Sequence, residues 1–231
     1  MFCTFRRAGS RIKRYLIPPP PPAAVTLAKL FGGKPAVVVQ VGSNDGVHGD
    51  PIADLIRKNP AWRVLFIEPL PHIFRRLMAN YPELSNYSFE NIAISSERGM
   101  RRMYYVSDEI RKVKPDVPFW YDQLGSFDRN HLLKHGHEFE PFITSEEVQC
   151  EPLADTLARN DITGIDLLHV DTEGYDFEVI KQVDLMQQAP SAILYEHKHL
   201  NNVDKIAVER LLKHAGYCTQ RFFTDTLALK P

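Results

Sequence analysis

The sequence is poor in cysteine and shows no pattern among the few it has. Cys3, Cys150 and Cys218 form neither a C-x-x-C pair nor a Cys/His zinc spacing. That excludes a disulfide scaffold and leads us to expect a reducing, cytoplasmic setting. No apolar run approaches the roughly 20 residues a bilayer-spanning helix needs, so no transmembrane segment is expected. No internal repeat and no secretory-type apolar segment is visible. Acids are missing before Asp45, whereas Arg6, Arg7, Arg11, Lys13, Arg14, Lys29 and Lys34 all precede it. The formal charge of -1 is therefore uneven: without those seven of the 28 cations, 21 face 29 acids, a balance near -8. An acidic body lacks the basic footprint that nucleic-acid backbones require.

What is present fits one α/β domain of 231 residues, with ample core and a modest insert. We expect residues 1–34 to form a basic arm and residues 35–231 the main domain. Phe2, Phe5, Ile12, Tyr15 and Leu16 alternate with cations, and Pro18 to Pro22 follow as an uninterrupted, stiff proline run. Three roles stay open for the arm: packing on the body or moving freely, touching a membrane surface or partner, or serving as a mitochondrial transit segment. A short helix is expected over Ala23–Phe31, ended by Gly32 and Gly33.

The run Val37, Val38, Val39 and Val41 reads as a strand buried on both faces. It stops at the turn cluster Gly42-Ser43-Asn44-Asp45-Gly46, where open α/β sheets bind ligands. Asp50 and Pro51 are expected to open a helix, with Ile52, Leu55 and Ile56 on one face. Further strands are expected over Arg63–Ile67, Tyr87–Ile94 and, as its continuation, Arg101–Val106. A helix between them turns Ile73, Phe74, Leu77 and Met78 inward. Residues 107–147, rich in aromatics and His131, His135 and His137, break the rhythm as an insert with one short helix near Asn130–His135. The pattern resumes with a helix at Leu153–Leu157, a strand at Asp166–Val170, a helix over Gly174–Val183 and a strand at Ala192–Tyr195. A helix over Val203–Ala215, closed by Gly216, and two final strands, Tyr217–Arg221 and Leu227–Lys230, complete it. The alternation implies a mostly parallel sheet with an antiparallel terminal strand.

A dinucleotide turn requires Gly-x-Gly-x-x-Gly, but Asn44 and Val47 stand where its second and third glycines belong. Small or flexible residues instead recur at Gln40, Gly42, Asn44 and Gly46, and asparagine tolerates a left-handed backbone. Asp45, Glu68, Asp171, Glu173 and Glu196 make the ligand edge acidic. That suits a cationic nucleoside such as S-adenosylmethionine (SAM) better than a pyrophosphate. Glu68, ending the second strand, is placed to accept both ribose hydroxyls, and Asn91 and Ala93 fall near the expected adenine. Asp171 and Glu173 could take a hydroxyl proton, bind a divalent cation such as Mg²⁺, or cap a helix. We expect no dedicated metal centre. His169 reads more simply as an interior histidine than as a base, and Glu196 or His197 is a second candidate base.

The segments VVVQVGSNDG, LFIEPLP, NIAIS and above all IDLLHVDTEGYDFEVIK resemble the FkbM-type methyltransferase family, over roughly Val37–Gly216. The resemblance implies a class I methyltransferase sheet of order 3-2-1-4-5-7-6. It also implies SAM-dependent methylation of a hydroxyl on a sugar or secondary metabolite. By carry-over, Gly42 and Gly46 line the cofactor, Glu68 holds its ribose and Asp171 sits beside the reacting centre. Gln40 and His169 depart from an acid and a lysine common in such relatives. Two rivals remain: a non-catalytic SAM-binding interaction module and an NAD-using nucleotide-sugar enzyme.

Overall fold

The computed structural model describes residues 22–81 and 85–231. The basic and proline-rich stretch before Pro22 lies outside the described residues. In chain order the strands are β1 (Val37–Val41), β2 (Arg63–Ile67), β3 (Tyr87–Glu90), β4 (Ala93–Ile94), β5 (Gly99–Val106), β6 (Gly125–Ser126) and β7 (Ile143–Glu151). They continue with β8 (Leu167–Val170), β9 (Ala192–Glu196), β10 (Cys218–Arg221) and β11 (Asp225–Leu229). The helices are α1 (Pro22–Phe31), α2 (Ala53–Lys58), α3 (Pro71–Asn80), α4 (Ile110–Val113), α5 (Arg129–Leu133), α6 (Leu153–Arg159), α7 (Asp176–Ile180) and α8 (Asn202–His214).

Seven strands form the main sheet in the order β10-β11-β9-β8-β1-β2-β3. All the pairs are parallel except those made by β11, which runs antiparallel to both β9 and β10. Numbered along this sheet alone, the order is 6-7-5-4-1-2-3, the class I methyltransferase arrangement. The uninterrupted valine run makes β1 central, and strand alternation divides it between two cores. Val39 and Val41 pack with Val179 and Val208 from α7 and α8; Val38 packs with Leu27, Ile56 and Leu77 from α1, α2 and α3. Helix α1 thus closes one face of the sheet, with Ala23, Ala24, Leu27 and Phe31 as its buried stripe.

A second sheet, β4-β7-β5-β6, sits beside the first. The continuous strand expected over Tyr87–Ile94 is instead split between the two sheets. The Asn91 amide donates to the carbonyls of Glu68 (2.8 Å) and Pro69 (3.0 Å), and the chain then leaves β2 so that β4 pairs with β7. Likewise β5 is no continuation of β3: it runs antiparallel to β7, which extends back to Ile143, inside the expected insert.

Four helix expectations need correction, the first being the insert, which holds two α-helices, α4 and α5, instead of the one expected. Helix α2 starts at Ala53 because Asp50 Oδ1 accepts from Ile52 N (2.8 Å) and holds Pro51 and Ile52 in a turn. Met78 is exposed, since Ile73 and Leu77 carry the inner stripe of α3. Helix α7 is shorter than expected because Glu173 (φ 53°) and Gly174 (φ 99°) leave helical geometry just ahead of it.

Candidate active site

The turn after β1 is hooked onto the end of β2. Gly42 N and Ser43 N both donate to Ile67 O, and Ser43 Oγ accepts from Ile67 N. Gly42 has φ 77°, and a Cβ there would lie 1.8 Å from Asp171 O, so only glycine lets β1 and β8 converge at their carboxyl ends. Asn44 takes the left-handed conformation (φ 50°) expected of it.

A cavity of about 260 Å³ opens at these strand ends. Of the residues selected from the sequence, Gly42, Asn44, Glu68, Ala93, Asp171 and Glu173 line it. Glu68 accepts from Asn44 N through Oε2 (3.0 Å) and from Leu70 N through Oε1 (2.9 Å). Each oxygen keeps a further lone pair. Burial, only partly offset by these bonds, raises the Glu68 carboxyl to about 7.

The other candidates, Gln40, Asp45, Gly46, Asn91 and His197, do not line the cavity. Gln40 borders a small adjoining recess with His48, Asp50, His169 and Asp171; its Nε2 meets Asp50 Oδ2 (2.9 Å) and His169 Nδ1 (3.0 Å), while its buried Oε1 has no partner. Burial lowers the basicity of His169. Asp45 accepts from Val47 N and His48 N, and His48 Nδ1 lies 2.6 Å from its other oxygen. Gly46 meets protein on its side-chain face: a Cβ would fall 2.4 Å from Tyr81 Cε2. Asn91 fixes the loop after β2, as above. His197 bonds Thr226 Oγ1 through Nδ1 (3.0 Å) and does not border the cavity; its neighbour His199 does.

Asp171 and Glu173 border the main cavity, the recess and a third pocket beside β9. Desolvation, with Glu196, Glu173 and Asp176 nearby, pushes the Asp171 carboxyl well above its ordinary value. Glu173 is opposite. Burial would raise it, but the bond from His131 and the close approach of His199 hold it down at about 2. Its Oε2 lies 2.9 Å from His131 Nε2 and 2.8 Å from His199 Nδ1. Burial opposes charge on His199, yet Glu173 and Glu196 lift it to about 9, whereas burial takes His135 down to about 4. Asp176, raised to about 8 by burial and Glu196, fixes the backbone here by accepting from Glu196 N and Thr172 Oγ1.

The segment between β5 and β7 supplies the outer wall. Asp122, Gln123, Phe127, Asp128, His131 and Lys134 all border the cavity. Arg101 packs its guanidinium 3.8 Å from the Phe127 ring centroid, and Phe127 meets Tyr175 edge-on.

No curated protein matches the chain. Among solved structures it is similar to precorrin-6y C5,15-methyltransferase from Geobacter metallireducens GS-15, at 13% identity, 90% of this chain, 87% of that chain and a TM-score of 0.44. It is also similar to ribosomal protein L11 methylase from Lactobacillus delbrueckii subsp. bulgaricus, at 11% identity, 90% and 78% coverage and a TM-score of 0.44. Residues 40–218 match the family described as the methyltransferase FkbM domain. That span runs from the base of the β1 turn, through Glu68 and the Asp171 strand end, to β10; the chain belongs to the FkbM methyltransferase family.

Proposed function

We propose that the protein moves a methyl group from SAM to a hydroxyl oxygen of a small acceptor, a sugar or secondary metabolite. The observation that carries this reading is Glu68: a buried acid at the end of β2, oriented by two backbone N–H groups and open to the cavity. Its free lone pairs suit two ribose hydroxyls. Ile92, Ala93 and Leu70 offer an apolar wall for adenine. The unpartnered Gln40 Oε1 and the neighbouring Asp50 suit an α-ammonium group, so the residues present fit SAM. When bound, SAM supplies an electrophilic methyl group next to the Asp171 strand end.

This chain's own work is then orientation and proton removal. Glu68 and the β1 turn fix the donor. The wall from Asp122 to Lys134 covers the acceptor and excludes water, and alignment supplies most of the rate. Asp171 takes the acceptor proton. Its basicity is raised by burial and like charges, and it borders every pocket at this end. Glu173 is already engaged by histidines and orients rather than accepts.

Calorimetry with SAM, S-adenosylhomocysteine and NAD tests the donor; labelled SAM with a panel of hydroxylated sugars and metabolites tests the acceptor. Micromolar binding of the first two ligands and labelled ether products are expected. NAD binding without SAM binding favours a nucleotide-sugar enzyme and overturns the reading. SAM binding without transfer to any acceptor favours an interaction module.

A further inference from the structure

Three histidines from two separate segments meet one carboxylate oxygen. His131 and His135 stand one turn apart, on α5 and just beyond it; His199 follows β9, and Glu173 follows β8. Glu173 Oε2 lies 2.9 Å from His131 Nε2, 2.8 Å from His199 Nδ1 and 3.9 Å from His135 Nε2. His131 Nε2 and His135 Nε2 are 3.5 Å apart, and all four atoms lie within 4.8 Å of one another. The imidazole centroids form a nearly equilateral triangle with sides of 5.3, 5.0 and 5.0 Å. A tetrahedral ion with bonds of about 2.0–2.1 Å has ligand–ligand edges of about 3.3 Å, within the range seen here.

We propose that His131, His135, Glu173 and His199 form a binding site for one divalent transition-metal ion of the zinc class. The side chains are nearly withdrawn from water, at 6, 12, 16 and 13% exposure respectively. Three imidazoles gathered that closely around one oxygen have more donor nitrogens than one carboxylate can partner; a cation engages all of them. The backbone is set for this arrangement. Glu173 adopts φ 53°, a left-handed conformation that a non-glycine residue keeps only where its surroundings enforce it. The next residue must be small, since a Cβ on Gly174 would stand 3.0 Å from His199 O. Glu196 Oε2, 2.8 Å from His199 Nδ1, places a further acid beside the centre. Three nitrogens and one oxygen select zinc-like ions over the Mg²⁺ that carboxylates alone would favour. The inference rests on this geometry and not on the methyl-transfer reading.

The test uses untagged protein stripped by a chelator and titrated with Zn²⁺, with Mg²⁺ as the comparison ion and Co²⁺ as the spectroscopic probe. One equivalent of Zn²⁺ per chain, tight binding, a rise in Tm and a Co²⁺ visible spectrum of four-coordinate type are expected. His135→Ala and His199→Gln should each weaken Zn²⁺ binding by at least about tenfold. Lys134→Ala, on the same turn but outside the ligand set, should leave it unchanged. Glu68→Gln should weaken SAM binding yet keep Zn²⁺ affinity unchanged, so the metal site and the donor site fail separately. Stoichiometry and affinity retained in both histidine variants would mean adventitious binding at other histidines and overturn the proposal. No binding by the wild type, or preference for Mg²⁺, would also overturn it. If the variants do not fold, the wild-type Co²⁺ spectrum decides, and six-coordinate aquo-type bands reject the site.

Discussion

Glu68 and Asn44, on adjacent parallel strand ends, are joined by a 3.0 Å hydrogen bond from the Asn44 backbone N–H to the Glu68 carboxylate. The bond ties the donor turn to the acid proposed to hold the ribose, so neither moves alone. Glu68→Ala should therefore lower SAM affinity at least about 100-fold, through loss of charge-assisted hydrogen bonds and of turn geometry together. Calorimetry measures it, and an unchanged Kd would remove Glu68 from the donor site.

The same carboxyl gives a pH signature. A hydroxyl-accepting Glu68 must be ionised, and in the free protein it titrates at about 7. SAM binding should tighten about tenfold between pH 6 and pH 8 in the wild type. Glu68→Gln should show a flat profile over that window.

Folding stability runs the other way. The folded state holds the Glu68 proton up to about pH 7, whereas its ordinary value is 4.5. The unfolded chain thus binds fewer protons between these values, and the stability present below 4.5 is lost as pH rises through 7. The shift corresponds to at most about 3 kcal/mol. Glu68→Gln should remove this group's share of the slope and leave that of the raised Asp171 and Asp176 carboxyls, and chemical denaturation of both proteins at pH 5 and pH 8 measures the difference.

Gly42→Ala should cost at least about 2 kcal/mol and abolish SAM binding, because the new Cβ meets the Asp171 carbonyl at 1.8 Å and φ is 77°. Asn44→Gly keeps the left-handed backbone and should change stability by less than about 1 kcal/mol. Equal losses in the two variants would contradict this account of the turn.

Asp171→Asn separates binding from chemistry. SAM affinity should stay within a few-fold, while the labelled-methyl transfer rate falls about 10²- to 10⁴-fold. Full transfer by this variant would assign the proton to another group.

The main sheet is legible in the sequence because its signals are local: a valine run, glycine and asparagine at the turn, and acids closing successive strands. Asn44 at φ 50° follows from asparagine's tolerance of that conformation. The second sheet was hidden because β5 and β7 recognise each other across a long intervening segment, and neither alternates cleanly enough to announce a partner. The break at Asn91 was hidden too, because its cause is a tertiary hydrogen bond from its side chain to β2's end. The histidine cluster had one local trace, the spacing of His131 and His135. His199 and Glu173 join them only through the fold, and choosing His199 over His197 requires knowing where β9 ends.

Val106 and Ile143 face each other across β5 and β7. Residues 107–142 therefore leave and rejoin the body at neighbouring points, as an excursion with a closed base. Loop closure costs little more for a longer excursion than for a shorter one. This segment can thus be lengthened, shortened or exchanged at its paired ends while β1, β2 and β8 keep their register. Architecturally it is a cartridge: in the proposed methyl transfer, exchanging it would change the wall over the acceptor while Glu68 and the β1 turn stay in place.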